Sequence, residues 1–211
     1  MKGGLTVKRI SYALIVCGLA TFLLLTSTSI APAAEQGPFY VGIFGGYAMP
    51  QDLSVSDGPD IPLKDSWAVG IKGGYIVPQA KYLAVELEYT YLGTQDIDMS
   101  GVDGDFSAGN LMVNFLLRYP EGRYHPYVGV GVGWSMGSFK ASEPGVTPID
   151  ENDSAFAWQI LAGINFEITP NWSADLAYRY FAGSYSISSG ADNFDLDAKN
   201  HMILIGVNYH F

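Results

Sequence analysis

The sequence is poor in thiols and in positive charge. A single cysteine, Cys17, stands in 211 residues, which excludes a disulfide scaffold and a cysteine-rich metal site. Lys and Arg number 11 against 21 Asp and Glu, a formal charge of −10. That balance excludes a nucleic-acid binder, which needs a basic footprint. Charged residues make up only 15% of the chain, where about a quarter is usual. Long apolar runs are scarce too: one stretch, near the N-terminus, is long enough for a membrane helix. What is plentiful is hydrophobic residues (48%), aromatics (14%) and 25 glycines. Such a chain is neither disordered nor a coiled coil. By length it makes one domain, at most two. Its apolarity needs a carrier other than membrane helices.

The N-terminal run reads as an address. Lys2, Lys8 and Arg9 precede an uncharged stretch from Ile10 to Ala34, which closes on small residues. This is the basic, apolar and small-residue order of a secretory signal peptide. Ala31-Pro32-Ala33 has the A-x-A form, so residues 1–33 are expected to be a cleaved signal peptide and 34–211 the mature domain. An uncleaved anchor fits less well, because the Ser/Thr/Ala end is too polar. Cys17 is a poor lipidation site, since Val16 rather than a small residue precedes it. Cleavage takes three basic residues, no acids and the only thiol, so the mature charge becomes −13.

The remainder alternates with a period of two. Trp67, Val69, Ile71 and Tyr75 share one face, while Ala68, Gly70, Lys72 and Gly74 share the other. Leu83, Val85, Leu87, Tyr89 and Tyr91 likewise oppose Ala84, Glu86, Glu88 and Thr90. A helix would scramble both sets, so these are strands. The same pattern predicts eight strands, at 39–48, 66–76, 82–92, 106–119, 124–136, 155–168, 172–182 and 199–211. Most are about ten residues or longer, the length that crosses a bilayer at a tilt. The connections at 77–81, 120–123 and 169–171 are short, whereas 49–65, 93–105, 137–154 and 183–198 are long.

Short turns on one side and long loops on the other predict an all-β fold. The expected architecture is an eight-stranded antiparallel transmembrane β-barrel with short periplasmic turns and long extracellular loops. Lipid offers no partner for backbone groups, so the sheet must close. Tyr40, Tyr47, Tyr75, Tyr82, Tyr91, Tyr119, Tyr124, Trp134, Trp172 and Tyr209 fall near strand ends, where interfacial aromatics belong. A soluble lipocalin-like barrel would turn its apolar face inward. It fits less well, because the opposite face is Gly, Ala, Ser and Asn with few charges.

Two sequence stretches carry a family resemblance: Thr169-Pro170-Asn171-Trp172-Ser173-Ala174-Asp175-Leu176-Ala177-Tyr178-Arg179-Tyr180 and the ending Gly206-Val207-Asn208-Tyr209-His210-Phe211. With Pro126-Tyr127-Val128-Gly129-Val130-Gly131-Val132-Gly133, the chain resembles the outer-membrane β-barrel domain family. That family groups small barrels similar to the transmembrane domain of outer membrane protein A. The resemblance implies a Gram-negative outer-membrane location. It also implies that Phe211 and Tyr209 form the signal read by the barrel-assembly machinery, with periplasmic chaperones as further transient partners. Membrane lipid and lipopolysaccharide are the expected lasting partners of a monomer. No peptidoglycan-binding segment follows residue 211, so the cell-wall tether of longer relatives is not expected.

Lys72, Glu86, Glu88, Arg118, Glu167, Asp175 and Arg179 fall on the inward face of the predicted barrel. An eight-stranded interior is just wide enough for side chains to fill. Centring one hairpin on Gln79 sets Lys72 opposite Glu86. Centring another on Asn171 sets Glu167 opposite Asp175 and Gly163 opposite Arg179. Two opposed carboxylates repel, so one would hold a proton or share Arg179 or Arg118. These groups are expected to fill and rigidify a closed lumen. The resemblance also allows a narrow low-conductance pore gated by the same ion pairs.

The long loops hold the whole net mature charge. Asp96, Asp98, Asp103 and Asp105 begin like a calcium loop, but Ser107 stands where Glu is needed and no helices flank it. This is a weak candidate; loose attraction of divalent cations near lipopolysaccharide is the plainer reading. No cofactor is expected. A lipid A-modifying enzyme would need a base beside its nucleophile, and no motif pairs a serine with His125, His201 or His210. The expected role is therefore structural or at the surface, with a loop-mediated adhesin or binding protein as the alternative.

Overall fold

A computed structural model describes residues 37–51, 54–55, 64–96, 103–142, 149–189 and 192–211. The predicted signal peptide lies outside them. The described residues belong to one compact unit, Ala33–Phe211. Its strands are β1 (Phe39–Pro50), β2 (Ser54–Val55), β3 (Ser66–Ile76), β4 (Leu83–Asp96), β5 (Asp103–Arg118), β6 (Tyr124–Ser142), β7 (Ile149–Glu167), β8 (Trp172–Ser189) and β9 (Asp192–His210).

Antiparallel neighbours run β1-β3-β4-β5-β6-β7-β8-β9, and β9 returns to β1. Eight strands thus close a barrel, while the two-residue β2 rides on β9 at Asp197 and Leu196. Closure is a full ladder, from Tyr40↔His210 to Pro50↔Asn200. The short turns are built for reversal. Thr169 and Trp172 exchange backbone hydrogen bonds across Pro170-Asn171. Gly122, at φ 77°, supplies the left-handed residue in the Pro120–Arg123 turn.

The predicted faces hold. Ile71, Leu87, Phe115, Val130, Trp134, Phe156 and Ile205 are exposed on the outside. Lys72, Glu86, Glu88, Asn114, Gln159, Asp175 and Arg179 are buried inside. An apolar exterior around a polar interior is the arrangement lipid requires, and the reverse of a lipocalin. Tyr40 departs from the interfacial set. It is buried in the lumen, because position 40 has the inward parity.

The strand ends depart from the sequence reading more widely. β6, β7 and β9 each run 19 residues and β8 runs 18, so much of 137–154 and 183–198 is ladder rather than loop. Hydrogen bonding continues where the apolar alternation that marks a membrane strand has ended.

Candidate functional site in the barrel lumen

The turns set the register, and it differs from the sequence expectation by two residues in both hairpins. Lys72 pairs with Glu88, and Glu86 with Gly74, because the β3–β4 turn is centred on Ala80. Glu167 pairs with Ser173, Asn165 with Asp175, Leu161 with Arg179 and Gly163 with Ala177, because the β7–β8 turn is centred on Pro170. Shifting a turn centre by one residue moves every cross-strand partner by two. Glu167 and Asp175 are therefore not opposed, and the expected carboxylate repulsion does not arise.

The lumen charges still meet, across the barrel rather than along the predicted rungs. The Lys72 ammonium lies 3.2 Å from Glu86 Oε1 and 2.8 Å from Asp175 Oδ2. The Tyr40 hydroxyl donates to Glu86 at 2.7 Å, and the Tyr127 hydroxyl reaches both Asp175 oxygens at 3.2 Å. Nearby, Arg179 pairs with Glu88. Glu88 also accepts from Thr90 at 2.9 Å and from Asn114 Nδ2 at 3.3 Å. Gln159 Nε2 donates onward to Asn114 Oδ1 at 2.7 Å. Arg179 is 2% exposed and Glu88 1%. Buried charges persist only when paired and hydrogen-bonded this fully.

Inward glycines make the room. A side chain at Gly74 would collide with the Tyr40 ring, and one at Gly70 with Phe44. Phe44 in turn lies beneath the Arg179 guanidinium, 4.6 Å from ring centroid to Cζ, a cation–π contact. Gly163 gives its space to Tyr127 rather than to Arg179.

Arg118 is half-buried and lines a cavity of about 30 Å³ with Tyr40, Lys72, Glu86, Asp175 and Asn208. That is room for about two water molecules. Elsewhere in the lumen Phe181, Met112, Leu161, Met202 and Leu204 are packed to near-zero exposure.

Glu167 lies 3.9 Å from His125 Nε2, while His125 Nδ1 donates to the Tyr119 carbonyl at 3.0 Å. One pairing was not visible in the sequence: Ser173 Oγ lies 3.0 Å from His210 Nε2. The contact joins neighbouring strands through the β8–β9 register, which no local motif announces. Ser173 is fully buried, and it also accepts from Asn165 at 2.9 Å and from Asn208 at 3.3 Å. With its lone pairs occupied and no access, the serine is a strut between strands.

Of the calcium candidates, Asp98 lies outside the described residues. Asp96 and Asp105 face each other in the β4–β5 ladder, and Asp103 pairs with Ser142. These ends form rungs of the β4–β5 and β5–β6 ladders. Phe211 and Tyr209 sit at the closing seam. The Phe211 amide donates to the Phe39 carbonyl at 3.0 Å, and the Phe211 ring stacks on Phe39 and Tyr209.

An apolar wall around a buried, ion-paired interior defines a small eight-stranded transmembrane barrel. The chain matches the outer membrane protein beta-barrel domain over residues 19–211 and belongs to that family. It is 24% identical to outer membrane protein A of Salmonella typhi over 206 residues, covering 96% of this chain and 54% of that one. The chain thus spans about half the length of that curated relative. Neisserial surface protein A shares the fold at a TM-score of 0.54 and 20% identity, over 82% of this chain and 97% of that one. Ail, the attachment invasion locus protein of Yersinia pestis, does so at 0.51 and 19%, over 83% and 99%. OprG from Pseudomonas aeruginosa does so at 0.50 and 16%, over 84% and 98%. At these identities the likeness is one of fold.

Proposed function

We propose that this protein is a non-enzymatic outer-membrane scaffold. Exported behind a cleaved signal peptide, it carries acidic surface segments on a rigid barrel that does not conduct. The observation carrying this reading is the lumen itself, closed by the Arg179–Glu88 pair and by Lys72 between Glu86 and Asp175. Lipid and lipopolysaccharide surround the apolar belt. The barrel-assembly machinery and periplasmic chaperones handle the chain in transit, with Phe211 and Tyr209 as the assembly signal. No cofactor is needed. Planar-bilayer recording of the refolded mature chain tests the scaffold reading. No stepwise conductance is expected from wild type or from Lys72→Ala; reproducible wild-type channels would overturn it.

A second reading, a gated narrow pore, is favoured by one detail. Lys72 and Glu88 are register partners, yet Glu88 is held by Arg179 and Lys72 by Glu86 and Asp175. Moving Glu88 from Arg179 to Lys72 would loosen the seal without disturbing the ladder. On this reading wild type conducts, and Lys72→Ala changes the open probability.

A further inference from the structure

On the outer wall of the barrel, one row of outward residues is broken by Gly73. Paired positions run Trp172, Tyr209, Val41, Gly73, Leu87 and Val113 across β8, β9, β1, β3, β4 and β5. The row climbs. Trp172 opens β8, Tyr209 stands one residue from the end of β9, and Val41 two from the start of β1. Gly73 stands three from the end of β3, Leu87 four from the start of β4 and Val113 five from the end of β5. The row thus rises from the girdle on the short-turn side into the membrane, as strand tilt in such a barrel requires. The next row, Val207, Ile43, Ile71, Tyr89 and Leu111, follows the same slope above it.

A groove of about 730 Å³ runs along these two rows, from Trp172 and Tyr209 past Val41, Gly73 and Leu87 to Leu111. Lys72 and Glu88 border it as well. Both side chains are buried inward, so they contribute backbone to its floor. A Cβ placed at Gly73 would meet nothing within 4 Å. The Tyr89 hydroxyl would lie 2.7 Å from a Cβ at Gly109, so its ring leans up the wall and leaves the groove open. A glycine inside a strand weakens it, and commonly marks a bulge, a bend or a close approach. Both ladders of β3 pass Gly73 in unbroken register, and no backbone or side chain approaches its outer side. What remains is room for a ligand from the lipid.

We propose that this groove holds one acyl chain of a phospholipid whose headgroup lies at the short-turn interface. Trp172 and Tyr209, with ring centroids 5.1 Å apart, mark headgroup level at its foot. From there the chain climbs across Gly73 toward Leu111. The groove crosses five strand spacings, about 24 Å. Its two rows stand about 7 Å apart along the strands, which admits one chain and excludes the convex wall of a second barrel. Lipid is as apolar as the wall, so hydrophobicity does not select this site. Selection comes from contact on two flanks and a floor, where a chain on the bare wall is touched on one side.

The inference rests on the belt facing lipid, which heat-modifiable gel mobility after insertion into vesicles reports separately for each variant. The mature protein is refolded into vesicles of phosphatidylethanolamine and phosphatidylglycerol, extracted into mild detergent and weighed by native mass spectrometry. Wild type is expected to retain one phospholipid. Gly73→Phe, whose ring fills the groove, lowers the retained fraction about tenfold. Leu87→Ala, which removes part of one flank, lowers it about threefold. Val130→Phe, on β6 outside the groove, leaves it unchanged. Wild type that retains no phospholipid overturns the proposal. So does retention unaltered in both groove variants, or lowered as far by Val130→Phe. A dimer that Gly73→Phe abolishes also overturns it, and assigns the groove to a second copy of the chain.

Discussion

Within the bilayer, β8 turns Trp172, Leu176 and Tyr178 outward, and Ser173, Asp175 and Arg179 inward. Further along the same strand, Ser184 is exposed on the outer face and Gly183 is buried on the inner one. The backbone ladder is continuous through both regions. What differs is the medium on the outside. Lipid demands an apolar exterior and leaves polar residues to pair within; water reverses the demand. The comparison teaches that alternation reveals a strand, but only the surroundings say which face is which.

The largest expected effect breaks the polar interior of the membrane region. Arg179→Ala leaves Glu88 buried without its cation and is expected to cost about 3–5 kcal/mol in urea unfolding from vesicles. Replacing both, as Arg179→Met with Glu88→Leu, recovers most of that loss if pairing rather than charge is what the site needs.

A matched pair of substitutions tests the exterior. Val130, 58% exposed to lipid, is expected to lose about 2–4 kcal/mol as Val130→Arg. Ser184→Arg, on the outer face where the β7–β8 ladder ends, changes stability by no more than about 0.5 kcal/mol. Equal costs at the two sites would erase the distinction between the regions.

Smaller still is the periplasmic girdle. Trp172 packs against Tyr209 with ring centroids 5.1 Å apart, and Trp172→Ala is expected to cost about 1 kcal/mol beyond the lost area. Smallest is the tip beyond the Ala141↔Ile149 rung. Replacing residues 143–148 with a short Gly/Ser turn leaves the ladder intact and shifts stability by under about 1 kcal/mol. An adhesion assay on that variant tests the surface-binding alternative: unchanged adhesion counts against this tip as a binding element.

Much of the fold was legible because the bilayer imposes its pattern on every crossing. Val128, Val130, Val132 and Trp134 against Gly129, Gly131 and Gly133 can be read without a structure. The lumen set was legible for the same reason, since inward parity alone collects Lys72, Glu86, Glu88, Asp175 and Arg179. The pairings were not. Register depends on where a turn reverses, and Ala80 and Pro170 differ from Gln79 and Asn171 by a geometry that composition does not encode. Tyr40 was assigned to the interface by residue type, although its parity placed it inside. The Ser173–His210 contact depends on the register of β8 against β9, which no local motif announces. The longer ladders were hidden because the outward positions beyond the apolar belt turn to serine, as at Ser138, Ser154 and Ser184, which resembles loop when apolar residues are expected outside.

The most direct test of the account is a single-cysteine scan, since the predicted mature chain has no thiol of its own. Cysteines at Val130 and Ile205, and at Ser138 and Ser184, all take the outer face. Each carries a fluorophore in vesicles and is challenged with a lipid-borne and a water-borne quencher. The account predicts that labels at 130 and 205 respond to the lipid-borne quencher and those at 138 and 184 to the water-borne one. Lipid quenching at 138 and 184 as strong as at 130 would contradict it.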